Sequence, residues 1–392
     1  MKKKTQFSKN REKYLKILKY VIWIIGFVII LGVLYYFISS QISQLKKLEF
    51  SSNFSNEFIE SDRDVSYSRS KPFTLLFLVE YDGNQKDQID GFVIVQLNYE
   101  SRSATVVSIH PNTYLYSTVY TIDPADTNLV RIKDLFVVGG LETPPKTCAY
   151  AVYSIEELMA IHVDGYIWVP SETLSGFLQL GRKEIPTELF EEDMEYEEWA
   201  LNWNEFWVDY FDSVSLINIW RNRDVISQIY SNMDVISAFS FIDDFGTIKA
   251  DNVFSVTLSQ DQLQEQTNNQ GDIVDVVTKG SVDKALNGYL QDLTVDREQA
   301  RVEIFNGSKI DGLGSRYERW IEHLGADVIR VQNAPGEWEQ TTVFVTDMDE
   351  FSYTLEKIVD LWGENIKVVE RRPDFITTGD IIIVLGLDFS EH

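Results

Sequence analysis

The sequence predicts an α/β protein with two folded domains. Apolar runs of strand length alternate with helical patterns, and the alternation starts afresh near residue 296 after a polar stretch. The chain has 392 residues, of which 44% are hydrophobic and 13% aromatic, so it contains enough apolar side chains for two cores. Because strands and helices are intermixed, we expect an α/β or α+β first domain and a small α/β second domain.

The N-terminal part of the chain predicts a membrane anchor. Residues 1–19 form a basic tail, and residues 20–38 hold no charged side chain, a length that spans a hydrocarbon core of roughly 30 Å. A cleaved signal peptide and a buried helix are the alternatives, but residues 35–37 are aromatic where a cleavage site needs small residues. The preceding lysines predict a cytoplasmic N-terminus and a single-pass protein of the cell membrane, with residues 40–392 outside. The polar, serine-rich residues 39–70 predict a linker.

Residues 71–295 are predicted to form the first domain. Continuous apolar runs predict buried strands, and the turn-like residues 98–101 between two of them predict a hairpin. Ser154 and Glu157 have the spacing of a capping box, so a helix is expected to begin at Ser154. Residues 260–275 are rich in Gln, Asn and Asp and predict a loop. The predicted strands are 73–79, 91–97, 104–109 and 166–169, and the predicted helices are 154–161 and 171–180.

Residues 184–212 combine many acids with a stripe of aromatic residues and contain no Lys or Arg. One interpretation is an amphipathic helix that packs the stripe on the core. The other is an aromatic platform for a sugar or a protein partner. The aromatic residues at helical spacing are Trp199, Trp203, Phe206, Trp207 and Tyr210.

Residues 296–392 are predicted to form the small second domain and to fold alone, because the segment has its own periodic core. Three glycines in residues 306–314 could cradle a phosphate at a helix N-terminus, but the stretch lacks the GK[ST] of a P-loop, which favours turn chemistry. Thr346 and Asp349 predict the start of a helix over residues 349–362. The predicted strands are 302–305, 327–331, 342–345, 367–370 and 380–385.

Composition excludes several functions. Cys148 is the only cysteine, so no intrachain disulfide can form, and the four histidines lack a zinc-site spacing such as HExxH. The first 20 residues carry a net charge of +7, whereas the rest of the chain carries −33. Nucleic-acid phosphates are bound by basic patches, so a nucleic-acid partner is not expected.

Two stretches of the chain resemble the LytR-CpsA-Psr (LCP) family of envelope proteins. The first comprises LFLVEYDGN and QIDGFVIVQLNYESRSATVVSIHPNTYL, followed later by VYSIEELMAIHVDGYIWV. The second is VEIFNGSKIDGLGSRYERWIEHLGADVIRVQNAP, with DIIIVLG near the end, and it is similar to the small LytR C-terminal domain often attached to these proteins. The resemblance implies a membrane-anchored α/β/α domain followed by a small α/β domain. Residues 184–290 match the family poorly.

The resemblance also implies a chemistry. Members of the family move a glycopolymer from a polyprenyl-pyrophosphate carrier onto the cell wall. Their arginines hold the pyrophosphate and their acids hold a divalent cation such as Mg²⁺, which together neutralise the charge of the transition state. Asp82 and Asp90 match the family acids and are the candidate catalytic and metal-binding residues.

The basic part of the family site is largely replaced in this sequence. Asn84, Gln88 and Pro111 stand where the resemblance implies arginines, and Asn112 stands where it implies an acid. The candidate ligand-binding side chains that remain are His110, Asn112 and Arg223, of which Arg223 aligns with a later family arginine; Arg102 is a further basic residue nearby in sequence.

These replacements predict a degenerate LCP-like domain. We expect a single-pass, extracytoplasmic cell-envelope protein that uses the scaffold for binding or assembly and is catalytically inactive. The alternative is an active glycopolymer phosphotransferase that requires Mg²⁺, and the second alternative is a structural partner in a membrane complex. The expected partners are the membrane, a cell-wall glycopolymer or polyprenyl-linked lipid, and a protein bound through the C-terminal domain.

Overall fold

The computed structural model describes residues 65–81, 89–116, 129–135, 144–184, 186, 189, 194–214, 216–268, 270–286, 288–362 and 366–388. The predicted basic tail, membrane span and most of the linker therefore lie outside the described residues, as do Asp82, Asn84 and Gln88. Within the described ranges, no helix is both long enough and apolar enough to cross a membrane.

Fifteen strands in the described residues build three sheets. The predicted strands are all present, with bounds that differ by at most two residues. The strands are β1 Phe73–Val79, β2 Gly91–Asn98, β3 Ser103–Val107, β4 Tyr114–Tyr116, β5 Leu129–Arg131, β6 Gly165–Val169, β7 Tyr230–Ser231, β8 Val253–Val256, β9 Gln264–Thr267, β10 Ile273–Val276, β11 Arg301–Asn306, β12 Asp327–Asn333, β13 Thr342–Val345, β14 Lys367–Glu370 and β15 Ile381–Leu385.

Ten α-helices lie between these strands in the described part of the chain. They are α1 Pro144–Met159, α2 Ser171–Leu178, α3 Tyr196–Ser213, α4 Leu216–Arg221, α5 Arg223–Ile226, α6 Val235–Phe245, α7 Lys279–Leu286, α8 Leu293–Glu298, α9 Leu313–Leu324 and α10 Ser352–Asp360. Strands and helices are intermixed throughout, so the predicted α/β class is confirmed.

A six-stranded mixed sheet in the order β7-β6-β1-β2-β3-β8 forms the centre of the first domain. The predicted hairpin is confirmed, because β2 pairs antiparallel with β3 as well as with β1. The strand β6 returns parallel to β1 after the crossover helix α1. The strands β1, β3 and β6 therefore end at the same edge of the sheet, where β2 begins.

Helices cover both faces of this sheet. Along β1, Leu76 belongs to the apolar cluster that contains Ile155 of α1. Its neighbour Phe77 points to the opposite face, where its ring packs against Trp207 and Phe211 of α3 at centroid distances of 5.8 and 4.8 Å. Alternate residues of a strand point to opposite faces, so a fully apolar strand is the signature of a sheet covered on both sides. The first domain is thus an α/β/α sandwich.

The aromatic stripe of the acidic segment lies in the core. Helix α3 buries Trp199, Trp203 and Trp207 to 0–1% exposure. The indole N–H of Trp203 donates to the Phe92 carbonyl at 3.0 Å, so its polar atom is also satisfied. The amphipathic-helix interpretation is confirmed for these three rings. They form no exposed platform for a sugar or a partner.

The stretch predicted as a loop over residues 260–275 is largely a hairpin. It contains β9 and most of β10, which pair antiparallel and extend the small sheet β5-β4-β10-β9. The prediction was wrong because these strands are exposed: Ile273 is 74% exposed, and Gln and Glu side chains occupy β9. A strand without a buried face shows no alternation in its sequence.

The prediction that a helix begins at Ser154 was also wrong. Helix α1 begins ten residues earlier, at Pro144, so Ser154 and Glu157 lie in its second half and form no capping box. Glu157 instead binds Arg316 and Lys279. Residues 65–70, at the end of the predicted linker, pack on the first domain: Tyr67 and Arg69 both donate to the buried carboxylate of Asp244 in α6.

The C-terminal domain has its own sheet, in the order β12-β11-β15-β13-β14. One face packs on α8, α9 and α10 through a core that includes Val295, Ile321 and Ile358. Helix α8 belongs to this core, so the domain includes residues just before the predicted boundary at 296. The start of the last helix also differs from the prediction: Asp347 accepts the N–H groups of Asp349 and Glu350, and α10 begins only at Ser352.

The glycine-rich stretch after β11 forms a turn, as predicted. The side-chain oxygen of Asn306 accepts both the backbone N–H and the hydroxyl of Ser308, at 3.0 and 2.6 Å. Its side-chain amide donates to the Ile310 carbonyl at 2.8 Å. Gly312 then starts α9 with a φ of 77°, a left-handed conformation that favours glycine. Side-chain and glycine chemistry of this kind shapes a turn without any ligand.

Candidate functional site

Three of the sequence-predicted residues, Asp90, His110 and Asn112, lie at the edge where β1 and β3 end and β2 begins. Asp90 directly precedes β2, and residues 108–113 follow β3. The carboxyl ends of β1 and β3 flank the start of β2 there, because β2 pairs antiparallel with both strands. Segments that follow neighbouring strands at one edge of a sheet commonly form ligand sites in α/β proteins. We call this edge, with Glu80, Asp90, residues 108–113 and Lys133, the strand-end edge.

Asp90 holds the loop between β1 and β2 in place. Its backbone N–H donates to the Val79 carbonyl at 2.9 Å, and its carboxylate accepts the Tyr81 N–H at 2.5 Å. Capping a strand end is therefore one role of this side chain. Asp90 is only partly buried, so it lies at the surface of the sheet edge.

Lys133 connects the Asp90 loop to the Pro111 loop through its backbone. Its carbonyl accepts the Ile89 N–H at 2.9 Å, and its N–H donates to the Pro111 carbonyl at 2.9 Å. The ammonium group lies close enough to His110 to influence the titration of the imidazole. Lys133 was not singled out from the sequence, because nothing in residues 129–135 marks that segment as adjacent to two loops distant in the chain.

His110 is enclosed by aromatic rings. It is 5% exposed, and its ring makes edge contacts with Tyr196 and Trp199 at centroid distances of 4.7 and 4.9 Å. Burial, with a smaller effect of Lys133, lowers the pKa of His110 to about 4. Its Nδ1 accepts the Asn112 N–H at 3.1 Å, which assigns the remaining proton to Nε2. His110 is thus neutral near pH 7 and provides no positive charge in place of a missing arginine.

Glu80 is a second acid at this edge that the sequence analysis did not select. Its carboxylate is buried and accepts the Trp168 indole N–H at 2.9 Å and, at 3.4 Å, the Ser171 N–H at the start of α2. An acid in the first turn of a helix is stabilised by the helix dipole. The signal available in the sequence was an acid directly after the apolar run 73–79.

The described residues show none of the remaining candidate side chains at this edge. Asp82 lies outside them. The backbone of Arg223 begins α5, whose Val225 lies against Gly176 of α2, and its side chain is likewise outside the description. Arg102 lies in the turn between β2 and β3, at the opposite end of β2 from Asp90, so the eight residues of the strand separate them. Eight strand residues span about 27 Å. Arg102 therefore cannot serve the strand-end edge.

The described acids do not by themselves form a cation site. No group of three or more His, Cys, Asp or Glu side chains among the described residues has the geometry of a metal site. Both oxygens of Glu80 accept hydrogen bonds, and the Asp90 carboxylate accepts the Tyr81 N–H.

A further cleft lies between the first domain and the C-terminal domain. It has a volume of about 340 Å³ and includes Thr74 and Asp164, near the starts of β1 and β6. Charges of both signs line it, and several are already used: Asp164 accepts the Thr74 N–H at 2.7 Å, and Lys71 pairs with Asp360 at 3.6 Å. The cleft is thus at the opposite edge of the sheet from Asp90.

Residues 299–389 match a family model, LytR_C, described as LytR cell envelope-related transcriptional attenuator. This segment is a LytR_C domain. The match covers all of the C-terminal sheet and confirms the resemblance proposed from the sequence for this part of the chain. The matched segment begins just before β11 and ends just beyond β15.

Several solved bacterial structures have a similar course of the chain. Bacillus subtilis TagV is 14% identical, with 56% of this chain and 96% of that chain covered and a TM-score of 0.40. TagT bound to LI-WTA is 13% identical, with coverages of 59% and 95% and a TM-score of 0.41. Protein gbs0355 from Streptococcus agalactiae is 13% identical, with coverages of 57% and 91% and a TM-score of 0.40. No curated protein matches this chain.

Proposed function

We propose that this chain is a membrane-anchored LCP-type cell-envelope protein whose first domain binds or assembles envelope components without transferring a glycopolymer. The sequence motifs around Asp82 and Asp90 and the LytR_C domain support the assignment to the envelope. The main support for a loss of catalysis comes from the residues of the loop after β3. A buried Pro111 stands at a position of an implied arginine, next to a neutral His110.

The charge balance of the strand-end edge supports this proposal. Pyrophosphate carries several negative charges, and arginine offers paired planar donors that fit it. Near the Pro111 loop the described cations are Lys133 and Arg131, and Arg131 is already bound to Asp134 at 2.5 Å. Lys133 offers a single ammonium in place of a guanidinium fork.

The expected loss of affinity is large. Hydrogen bonds to charged groups contribute roughly 1.5–3 kcal/mol each, so three absent arginines remove on the order of 4–9 kcal/mol if they act independently. At about 1.4 kcal/mol per decade, the loss is roughly 10³- to 10⁶-fold in affinity for a pyrophosphate. Asp90 without these cations repels the ligand unless a divalent cation lies between them.

The test uses the full-length protein with Mg²⁺ and a polyprenyl-pyrophosphate analogue. We expect neither turnover nor tight binding. A Gln88→Arg/Pro111→Arg double variant is expected to raise the affinity, and its thermal unfolding must be recorded because Pro111 is buried.

The matched variant for the alternative function is Asp90→Asn. The asparagine keeps an oxygen that accepts the Tyr81 N–H but removes the charge, so it separates folding from chemistry. The control is Asp261→Asn, which changes an exposed acid. If the unmodified protein and this control both turn over the substrate and Asp90→Asn does not, the protein is an active phosphotransferase and the proposal is overturned.

A further inference from the structure

Two side chains of helix α9 in the LytR_C domain contact the end of helix α1. Arg319 of α9 donates from Nη1 to the Glu157 carbonyl at 3.1 Å and from Nη2 to the Leu158 carbonyl at 2.5 Å. Nδ1 of His323, one turn further along α9, lies 2.7 Å from the Met159 carbonyl. Three consecutive backbone carbonyls of the first domain thus contact two side chains of the second.

These three carbonyls are the ones that α1 leaves unsatisfied. The last four carbonyls of an α-helix have no partner within the helix, and this end carries the negative pole of the helix dipole. The first of the four, that of Glu156, accepts the Ile161 N–H at 3.4 Å where the chain turns at Ala160, whose φ is 49°. Helix α1 has no basic residue in its own last turn. Arg319 of α9 supplies positive charge at this pole, beside His162, whose Nδ1 lies 3.3 Å from the Glu156 carboxylate.

A second layer of ion pairs supports the same contact. Asp283 of α7 accepts the Arg319 Nε–H at 2.6 Å and lies 3.0 Å from Nε2 of His323. Glu157, whose side chain is 4% exposed, binds Arg316 of α9 at 2.6 Å and Lys279 of α7 at 2.5 Å. A buried carboxylate that loses its partner is strongly destabilising. Separation of the domains would remove Arg316 from Glu157 and expose the end of α1.

We propose that the LytR_C domain is the C-terminal cap of α1, a fixed clamp on the first domain rather than a freely tethered module. Arg319 and His323 hold the last turn of the helix, and Arg316 supplies a counter-ion for Glu157. This inference rests on the contacts alone and does not depend on the proposed function.

The test is hydrogen exchange of the full-length protein with three variants. Arg319→Ala removes both carbonyl contacts, and Arg319→Lys keeps the charge but cannot reach both carbonyls with a planar fork. Arg297→Ala is the matched control, since Arg297 also joins the two domains, through an exposed pair with Glu100 at 3.6 Å. Exchange is read at residues 155–163 and, as an internal reference for an intact LytR_C domain, at β11.

We expect exchange at residues 155–163 to rise about 10- to 100-fold in Arg319→Ala, which corresponds to about 1.4–2.8 kcal/mol. Exchange in Arg297→Ala should stay within about twofold of the wild type, because exposed pairs contribute little. If residues 155–163 of Arg319→Ala are as well protected against exchange as in the wild type, while β11 also stays protected, the proposal is overturned.

If Arg319→Ala also loses protection at β11, the LytR_C domain itself is destabilised, and the test then uses Arg319→Lys instead. Faster exchange at residues 155–163 with a protected β11 in Arg319→Lys supports the clamp. Wild-type exchange at both segments in Arg319→Lys contradicts it.

Discussion

His110 shows how burial decides the chemistry of a single residue. In the sequence it stands beside Pro111 and Asn112, where a protonated histidine could replace the charge of an implied arginine. In the fold its ring lies between Tyr196 and Trp199, and burial lowers its pKa to about 4. Its structural role is to accept the Asn112 N–H and so shape the loop after β3. A residue type alone does not indicate a charge; its surroundings do.

The lowered pKa of His110 predicts a pH dependence of stability. An unfolded histidine titrates near pH 6.5, so between pH 6.5 and 4 the unfolded chain binds a proton that the folded chain does not. The contribution of His110 to folding is therefore complete above about pH 6.5 and is lost as the pH falls towards 4. The loss is on the order of 3 kcal/mol. Urea unfolding of wild type and His110→Phe at several pH values measures it, because phenylalanine removes the titration.

The wild-type minus His110→Phe difference in unfolding free energy should decrease steadily between pH 6.5 and 4. A difference that is constant over this range would show that His110 is accessible to protons in the folded state. Carboxylate titration affects both proteins alike and cancels in the comparison.

Gly91 is a second residue whose identity follows from packing. A Cβ at this position would overlap the indole ring of Trp203, so β2 can start under α3 only with glycine. We expect Gly91→Ala to lower the unfolding free energy by about 1–3 kcal/mol through overpacking. Gly336→Ala is the control, since no atom lies within 4 Å of its added Cβ. Thermal unfolding that is equal for the two variants would contradict this packing.

At the scale of the element, α3 combines an acidic exposed face with a stripe of buried rings. Trp203 is fully buried and donates to the Phe92 carbonyl, whereas Leu201 on the same helix is 49% exposed. We expect Trp203→Ala to destabilise the protein by about 3–5 kcal/mol and Leu201→Ala by no more than about 0.5 kcal/mol. Chemical denaturation measures both. A small effect of Trp203→Ala would mean that the stripe is not the core of the first domain.

Helix α8 decides where the C-terminal domain begins. Val295 lies in the core with Ile321, and Asp292 caps the helix and accepts the Tyr353 hydroxyl at 2.7 Å. A fragment of residues 291–392 should therefore unfold cooperatively on its own. A fragment of residues 299–392, which matches the family bounds, should be less stable by at least about 1.5–3 kcal/mol for the lost burial of Val295.

Calorimetry of the two fragments measures this difference. A longer fragment without a cooperative transition would show that the domain depends on the clamp to α1 for its fold. Equal stability of both fragments would show that α8 belongs to the connection rather than to the domain.

At the scale of the whole molecule, the N-terminal sequence predicts the membrane topology of the chain. Residues 20–38 and the lysines before them predict that both folded domains lie outside the membrane. A periplasmic-type or extracellular reporter enzyme fused after His392 should be active, and a reporter that works only in the cytoplasm should be inactive. The opposite pattern would overturn the anchor and, with it, an envelope function for this chain.

Much of the fold could be predicted from the sequence because its signals are local. Continuous apolar runs such as residues 73–79 mark strands covered on both faces, and the aromatic stripe of α3 has helical spacing. Exposed strands β9 and β10 and the N-terminal half of α1 could not be predicted, since they carry no periodic apolar pattern. In the candidate site, the family resemblance predicted that Asp90 and the Pro111 loop belong to one site. It did not predict that the backbone of Lys133 connects the two loops.

The sequence by itself determined the α/β class and the LytR_C segment, and it predicted from the family resemblance that arginines are replaced. Only the tertiary structure decided that His110 is neutral, that the tryptophans of α3 are core, and that Arg319 caps α1. The physical reason is distance along the chain: Arg319 and Glu157 are 162 residues apart. Contacts at that separation leave no periodicity or local motif, and they exist only once both domains have folded and packed together.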